Sequence, residues 1–408
     1  MHVLVVTPWY PTPDQPNSGV FIAEQIDALC NAGVTVTVLH LDAVPTKIRT
    51  ATRSASKTNF ASLPNHEIIS FQQLSNDKCR YIRLPFVSME GVGFAERASE
   101  AKRTFNDFID FHSDFLKDID LIHGHVICPT FEVVKDSGKP LVITEHYSGI
   151  ERVISQKASR AIVEAAMHES FVITVSKSLK FRIFQALGAS EKDFSEISVI
   201  PNIVDAHGVP STIQNEAESD SWCQWLYVGS LKANKQVDLL LESFKIYKGF
   251  EKNASLTIVG DGEEMERLQK LTARLELNDS VQFVGAVQRT EVSNYYRSAS
   301  VFVHLSKSET FGIASVEAIL AGIPVVSLRN EGADEAWGEI ELSAGRLLPL
   351  YSNRFDIATA VTQVLERVTP TSLSESQMWI ARRYSSQVIS SQVIRCYEEA
   401  LSNANRSN

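Results

Sequence analysis

The sequence predicts an α/β protein with two doubly wound parallel sheets, on three observations. The chain has 408 residues, more than one ordinary hydrophobic core contains, so two domains are expected. Short apolar runs alternate with helical patterns along most of its length, which is typical of parallel strands joined by crossover helices. A polar, acidic stretch at 211–221 divides this alternation into two series.

The first series begins at the N-terminus. Residues 3–6 form a short apolar run typical of a buried parallel strand. After a proline-rich loop, Gly19 opens a helical pattern that stops at Asn31-Ala32-Gly33, and 34–39 is the next β-rich run. Further strands are expected at 121–126, 141–144, 172–175 and 198–200.

The second series follows the acidic stretch. Its strands are expected at 225–228, 256–259, 281–283, 301–305 and 324–327. We therefore place an N-terminal domain at 1–205 and a C-terminal domain at 206–384. The last patterned stretch, 385–401, is an amphipathic helix, and the tail 402–408 is expected to fray.

Composition excludes several classes of protein. The formal net charge of -10 argues against nucleic acid as the main partner. The five cysteines are scattered without a CxxC pair, which favours reduced thiols in a cytoplasmic protein. The first residues lack the basic lead of a signal peptide. No apolar run approaches the roughly 18 residues of a membrane span.

The most informative stretch is SETFGIASVEAILAGIPVV, at 308–326. Open α/β sheets bind ligands at the carboxyl ends of their strands, and Glu309 follows the predicted strand 301–305. Gly312 opens the next helix, whose free N–H groups favour an anion such as a diphosphate. Glu317 lies about one turn inside, in an apolar run where an unpaired carboxylate is costly. Alternatively, Glu309 only caps the helix and Glu317 is a surface residue.

This stretch resembles the sugar-nucleotide signature of the retaining glycosyltransferases of family 4, which have the GT-B fold of two Rossmann-like domains facing a cleft. The resemblance implies that Glu309 faces the donor sugar and that Glu317 binds the ribose hydroxyls. It also implies that the backbone at Phe311, Gly312 and Ile313 faces the diphosphate of the donor.

Other segments of the C-terminal half extend the resemblance. Gly229-Ser230-Leu231 followed by Lys235 is similar to the element that places basic side chains on the diphosphate, although Ser230 stands where many members have arginine. Gly260 and Val287 lie in segments that, in the family, approach the nucleotide through their backbones. Their side chains therefore do not decide between a UDP and a GDP donor.

The N-terminal half contributes three histidines that follow predicted strands. His123 and His125 lie one pleat apart on one face of a strand end, and His146 follows the next strand. A metal site is one interpretation, although the spacings of zinc hydrolases are absent. The resemblance instead implies that His125 reaches the donor sugar, and we expect backbone groups to satisfy His123.

Two further positions follow from the resemblance. Asn202, in IPNIVD at 200–205, matches a segment between the two domains, with Ile203 in place of the usual glycine. Gly19 is either only a helix N-cap or a residue whose amide, with that of Val20, approaches the phosphates. The helix 385–401 is expected to pack back on the N-terminal domain, as in the family.

One charged segment belongs to no motif. Between residues 47 and 103 there are ten Lys/Arg and five Asp/Glu, in a chain that is acidic as a whole. Such a segment is either a solvated face or, as the resemblance implies, an acceptor side that touches an anionic membrane.

The sequence thus predicts a cytoplasmic, retaining hexosyltransferase that moves a sugar from a nucleotide diphosphate donor to a saccharide or lipid-linked acceptor. It needs no metal and no cofactor beyond the donor, and Lys235 with the helix amides stabilises the leaving group. Two alternatives stay open. One is an epimerase that acts on the nucleotide sugar alone, and the other is an inactive binding protein of the same fold, which Ser230 favours.

Overall fold

The computed structural model describes residues 1–46, 78–89, 91–194, 197–205 and 223–407. The acidic stretch at 211–221 lies outside these ranges. So do Lys47, Arg49, Arg53 and Lys57 of the basic segment, and a membrane role for that segment stays a prediction.

The chain divides into two compact units. The first comprises Met1–Pro201 together with Ser386–Asn408, and the second comprises Asn202–Ser385. The boundaries expected from the sequence, 205/206 and 384/385, lie within a few residues of these. Each unit contains its own parallel sheet and its own hydrophobic core.

The sheet of the first unit is doubly wound. Its strand order is β3-β2-β1-β4-β5-β6-β7, and all of its pairs are parallel. The order reverses between β1 and β4, the point at which such sheets place their ligand site. The edge strand β3 was not predicted, because it contains Pro85 and two arginines; proline is tolerated on edge strands. The strands are β1 His2–Thr7, β2 Thr35–Thr46, β3 Cys79–Met89, β4 Leu121–His125, β5 Leu141–Glu145, β6 Phe171–Thr174 and β7 Ser198–Val199.

Helices cover this sheet and bury its apolar side chains. The central strands β1, β4 and β5 are almost wholly buried. The apolar run of β1 predicts this, whereas β4 and β5 also bury polar residues, among them His123, His125 and Glu145. The first helix starts after Gly19 and stops at Asn31, as expected from the sequence. The helices are α1 Val20–Asn31, α2 Phe94–Phe111, α3 Ile127–Val134, α4 Ile150–Ile154, α5 Lys157–Glu169 and α6 Lys177–Leu187.

The second unit repeats this design. Its sheet has the order β10-β9-β8-β11-β12-β13, again parallel throughout, with the reversal between β8 and β11. The short edge strand β13 was also not predicted, since its four residues carry little periodicity. The strands are β8 Cys223–Val228, β9 Ala254–Val259, β10 Val281–Gly285, β11 Val301–His304, β12 Val325–Leu328 and β13 Gly345–Leu348.

Helices also cover the sheet of the second unit. Two apolar clusters form its interior, one containing Trp225 and Phe244 and the other containing Phe302 and Trp337. None of the helices in the described ranges of either unit is both long and apolar enough to cross a membrane. The helices of the second unit are α7 Val237–Phe250, α8 Met265–Arg274, α9 Arg289–Ser298, α10 Ile313–Leu320, α11 Glu331–Trp337, α12 Glu341–Ala344, α13 Arg354–Arg367 and α14 Pro370–Tyr384.

The C-terminal helix α15, Ser386–Ser407, belongs to the first unit although it follows the second in the chain. Ile389, Val393 and Tyr397 are fully buried. The tail does not fray at 402, as was expected, but stays helical to Ser407, because neither glycine nor proline interrupts it. The helix thus closes the core of the first unit.

Replacing Ile389 by alanine should therefore destabilise the protein by about 2–5 kcal/mol, because it leaves a cavity at a fully buried site. Ile394→Ala is the matched control, since Ile394 lies on the same helix but is only partly buried. Urea denaturation of both variants measures the difference. Equal losses of the free energy of unfolding would contradict the packing described here.

Candidate functional site

Glycines allow the strand ends of the second unit to approach each other closely. A side chain on Gly260, which has φ +134°, would lie 1.9 Å from the carbonyl oxygen of Gly229. The amide of Gly229 donates to the carbonyl of Val259 at 3.0 Å, and that of Gly260 donates to the carbonyl of Gly285 at 2.8 Å. The backbones of the three loops therefore form a continuous hydrogen-bonded floor at this end of the sheet.

The loop after β11 is fastened on several sides. The amide of Lys307 donates to the carbonyl of Asn234 at 2.9 Å, which ties this loop to the one that carries Lys235. Asn330 Nδ2 donates to the carbonyl of Ser306 at 3.0 Å. A side chain on Gly332 would lie 2.6 Å from the carbonyl oxygen of Glu309. The backbone that carries Glu309 is therefore held from both neighbouring loops.

Glu309 lies in this loop with two partners for one oxygen. Its Oε1 accepts a hydrogen bond from Lys235 Nζ and another, at 2.9 Å, from His304 Nε2. Burial favours the neutral acid, but the bonds from His304 and Lys235 outweigh it and lower the pKa of Glu309 to about 2. Glu309 is therefore ionised at neutral pH, and it does not cap the helix that follows.

Helix α10 begins four residues after Glu309, and its N-cap, Gly312, has no side chain. Gly312 has φ +84° and makes no side-chain cap, so the first turn from Ile313 presents its amides and the positive end of its dipole. Phe311 is 1% exposed and packs edge-on against Tyr384, with ring centroids 5.0 Å apart. The aromatic ring thus anchors the turn from inside.

Glu317 is not a surface residue, since it is 7% exposed on the second turn of α10. Its Oε1 accepts from Arg289, and its Oε2 accepts from the Tyr296 hydroxyl at 3.2 Å. Both partners come from α9. Burial and the Glu317 carboxylate raise the pKa of Tyr296 well above its ordinary value, so the hydroxyl stays a donor. A salt bridge with Arg289 therefore stabilises the carboxylate in the apolar run.

The remaining predicted positions of this unit are Ser230, Val287 and Asn202. The carbonyl of Ser230 accepts from the Tyr227 hydroxyl at 3.0 Å. Val287 packs partly buried beside the second apolar cluster, and Asn202 is 8% exposed where the second unit begins. Their roles toward a donor stay predictions.

In the first unit, His123, His125 and His146 are buried next to one another. His123 bonds through Nδ1 to the Tyr397 hydroxyl at 2.7 Å and through Nε2 to Thr144 Oγ1 at 2.8 Å. It is thus satisfied by side chains, not by backbone groups as expected. His125 Nδ1 lies 2.9 Å from His146 Nε2.

His123 and His125 are neutral at pH 7. Burial lowers the pKa of His123 to about 3 and that of His125 well below its ordinary value, and neighbouring histidines lower both further. No group of three or more metal-ligating side chains occurs in the described part of the chain. The assignment of His125 to the donor sugar stays a prediction.

Gly19 caps α1 in a conformation that requires glycine. Its φ is +65°, and a side chain would lie 2.4 Å from the carbonyl oxygen of Trp9. The loop after β1 therefore packs directly on the start of the helix. This geometry explains the glycine whether or not its amide also approaches a phosphate.

Four residues that contact the predicted site residues were not predicted. Arg289 and Tyr296 hold Glu317, and His304 holds Glu309. In the first unit, the fully buried Glu145 accepts from the amides of Ile127, His146 and Tyr147 at 2.7–3.0 Å. His304 and Glu145 had a sequence signal, since each is a polar residue that ends a largely apolar strand.

Residues 213–378 match the family model of the glycosyl transferases group 1. This match covers the described loops that hold Lys235, Glu309 and Glu317. The C-terminal half of the chain is thus similar to the glycosyl transferases group 1. Over 145 residues, 34% of the chain, it is 28% identical to an α-monoglucosyldiacylglycerol synthase of Streptococcus pneumoniae, of which the match covers 31%. The chain covers less than two thirds of each of the curated relatives that match it first.

Solved structures share the fold over the whole chain. The sucrose-phosphate synthase of Thermosynechococcus elongatus matches with a TM-score of 0.71 and 17% identity, covering 99% of this chain and 100% of that one. An Anabaena protein crystallised with UDP and glucose matches with a TM-score of 0.66 and 19% identity, over 97% and 99%. The chain thus has the GT-B fold, with two Rossmann-like sheets.

The low pKa of Glu309 makes stability depend on pH in a defined direction. An acid whose pKa falls from 4.5 to about 2 on folding stabilises the protein at neutral pH by roughly 3 kcal/mol. This contribution is complete above about pH 5 and is lost as the pH falls toward 2. The free energy of unfolding should therefore fall more steeply between about pH 5 and 3 in the wild type than in Glu309→Gln.

The control is Glu375→Gln, at an exposed glutamate of the same unit. It should follow the wild-type pH dependence, measured by urea denaturation. Parallel curves for the wild type and Glu309→Gln would show that Glu309 is not held ionised by its neighbours.

Proposed function

We propose that this protein transfers a sugar from a nucleotide diphosphate sugar to an acceptor hydroxyl with retention of anomeric configuration. The observation that carries the proposal is the Lys235–Glu309 pair beside the open N-terminus of α10. It combines a cation and helix amides for a diphosphate with a carboxylate for a sugar. All of these groups lie at the carboxyl ends of the strands in the second unit.

Glu317 has capacity for the ribose of the donor. An ionised carboxylate offers about four lone-pair positions, and Arg289 and Tyr296 occupy one on each oxygen. The ribose 2′- and 3′-hydroxyls would donate to the other two. Arg289 and Tyr296 then fix the orientation of the carboxylate before the nucleotide arrives, which reduces the entropy lost on binding.

The diphosphate would lie over the floor formed by Gly229, Gly260 and Gly285. Gly260 packs closely against the backbone of Gly229, and the amides at the start of α10 would donate to the diphosphate oxygens. Lys235 would supply a positive charge. Ser230 removes the arginine that many members have, so the charge contributed by Lys235 matters more here.

The transfer would break the bond between the anomeric carbon and the β-phosphate oxygen. It would form a bond from the acceptor oxygen to the same face of that carbon. The acceptor proton would pass to the released phosphate oxygen, so the products are a glycoside and a nucleoside diphosphate. Lys235 and the helix amides would stabilise the charge that develops on the leaving group, and no separate general acid is needed.

Glu309 would hold and polarise the sugar. With a pKa of about 2 it is a weak base, which suits a hydrogen-bond acceptor better than a proton-abstracting group. Both of its protein partners bind Oε1. Its Oε2 would then accept from a hydroxyl of the donor sugar.

The acceptor is a saccharide or a lipid-linked sugar in this proposal. The matched relative from Streptococcus pneumoniae is named for a glycolipid product, and the structural neighbour from Thermosynechococcus elongatus for a sugar phosphate. An epimerase of the same fold is the second candidate. It would consume the nucleotide sugar without any acceptor, which separates it from a transferase in one assay.

The first test separates the two carboxylates by ligand. Glu317→Ala should weaken binding of UDP or GDP by about 10–100-fold, because it removes charge-assisted bonds to the ribose. Glu309→Ala should leave nucleotide binding within about threefold and abolish most turnover of UDP-glucose or GDP-mannose. The rise in melting temperature with nucleotide concentration measures affinity, and release of nucleoside diphosphate measures turnover.

Glu317→Gln and Glu375→Ala are the controls. Glu317→Gln keeps the size of the side chain, so a folding defect confined to the alanine variant is recognised. Glu375→Ala changes an exposed glutamate elsewhere in the unit and should behave as wild type. Equal effects of Glu309→Ala and Glu317→Ala on nucleotide binding would refute the assignment, and no response to either nucleotide would refute the donor class.

The second test concerns metal ions. The described residues contain no carboxylate or histidine group placed to hold one, and the leaving group has Lys235 and the helix amides. Turnover should therefore persist in EDTA at no less than about half its rate. Loss of activity in EDTA, with recovery on adding Mg²⁺ or Mn²⁺, would show that the donor needs a metal.

A further inference from the structure

Contacts on several sides hold both the side chain and the backbone of His304. It ends β11 with 4% exposure. Its ring lies nearly parallel to those of Tyr227 and Phe302, with centroids 5.7 and 5.9 Å away and interplanar angles of 6° and 10°. Its carbonyl accepts from Ser327 Oγ at 2.8 Å. The position and the plane of the ring are thus fixed.

The hydrogen bonding of His304 is one-sided. Because the ionised Glu309 is only an acceptor, His304 Nε2 carries the proton of the 2.9 Å bond. Nδ1 is buried and has no partner among the described residues. A buried polar atom without a partner costs about 1–3 kcal/mol, and a phenylalanine would fill the same space without it. The benefit of histidine here is the bond to Glu309.

The two partners of Glu309 differ in freedom. Lys235 ends the short turn Ala233–Lys235 and reaches Glu309 on a flexible four-carbon stem, with its side chain 17% exposed. His304 is immobilised between two rings. A ligand can therefore displace Lys235 from Glu309 more easily than it can displace His304.

A donor diphosphate would compete for Lys235. Its negative charge attracts the ammonium group, which divides the attraction that Lys235 now gives to Glu309 alone. Glu309 would then lose part of its fixation at the moment when it must hold the sugar. The bond from His304 is unaffected, because the buried ring cannot turn toward the ligand.

We propose that His304 is a positioning residue that keeps Glu309 in place while Lys235 passes from Glu309 to the diphosphate of the donor. This inference rests on the proposed function for the role of the donor. The pairing of His304 with Glu309 is a property of the free protein, so it can be tested separately.

Three variants separate the N–H group from the ring. His304→Phe keeps a ring between Tyr227 and Phe302 but removes the donor. His304→Gln supplies an amide N–H at about the distance of Nε2 without the ring. Phe302→Leu is the matched control, because it removes one stacking ring and leaves the N–H group in place.

The first arm measures melting temperature without ligand. His304→Phe should lower the melting temperature more when Glu309 is present than in a Glu309→Ala background. Phe302→Leu should have the same effect in both backgrounds. An effect of His304→Phe that does not depend on Glu309 would overturn the proposal.

The second arm measures turnover of UDP-glucose and GDP-mannose against pH. His304→Phe should lower kcat about tenfold or more, leave affinity for free UDP or GDP within about twofold, and move the acid limb of the kcat profile to higher pH. The limb moves in this direction because Glu309 becomes easier to protonate. His304→Gln should recover part of the lost kcat, and Phe302→Leu should leave the acid limb in place.

The two arms distinguish the possible failures. A wild-type kcat and acid limb in His304→Phe, or the same shift in Phe302→Leu, would overturn the positioning role. If neither nucleotide sugar is turned over by the wild type, the proposed function fails. The first arm then still decides whether His304 holds Glu309.

Discussion

The second unit depends on neutralising two buried carboxylates beside a helix N-terminus, a place that by itself attracts anions. Glu309 and Glu317 are both largely buried, and they lie on either side of the N-terminus of α10. Each has its own cation, Lys235 for the first and Arg289 for the second. Without these cations the two carboxylates would repel a diphosphate and cancel the attraction of the helix dipole. With them, the start of α10 remains favourable to an anion.

The same constraint explains the packing around the site. Held charges require rigid backbones, and the loop of Glu309 is tied by Asn234, Asn330 and the close contact at Gly332. Gly260 at the end of β9 serves a related purpose, because a side chain there would collide with the carbonyl of Gly229 and separate the two loops. Hydrogen-bond donors that are in position before a ligand binds need little reorganisation when charge develops on that ligand. Loops at the ends of buried strands provide such rigid backbones.

Much of the fold and of the candidate site was predictable from the sequence. The parts that were not predictable have physical explanations. The buried central strands and α1 follow from apolar runs and from Gly19, and Glu309, Gly312 and Glu317 follow from one short stretch. The edge strands β3 and β13 did not, since one contains proline and charge and the other is only four residues long. Arg289 lies 28 residues before Glu317, and no local pattern links two residues that meet only through the packing of α9 on α10. The nucleotide base of the donor cannot be predicted either, because the segments expected to approach it do so through their backbones, which every side chain shares.

The first unit solves a different electrostatic problem. Two of its buried polar groups near the strand ends, His123 and His125, are neutral imidazoles, because burial favours the uncharged form and nearby histidines lower their pKa values further. The Tyr397 hydroxyl of α15 hydrogen-bonds to His123, so the last helix of the sequence orients an imidazole ring on β4. Glu145 has no cation but accepts three backbone amides; burial raises its pKa to about 7, while those bonds act in the opposite direction. Around Glu145 fixed backbone dipoles thus take the place of an ion pair, whereas Glu309 and Glu317 of the second unit each have a cation.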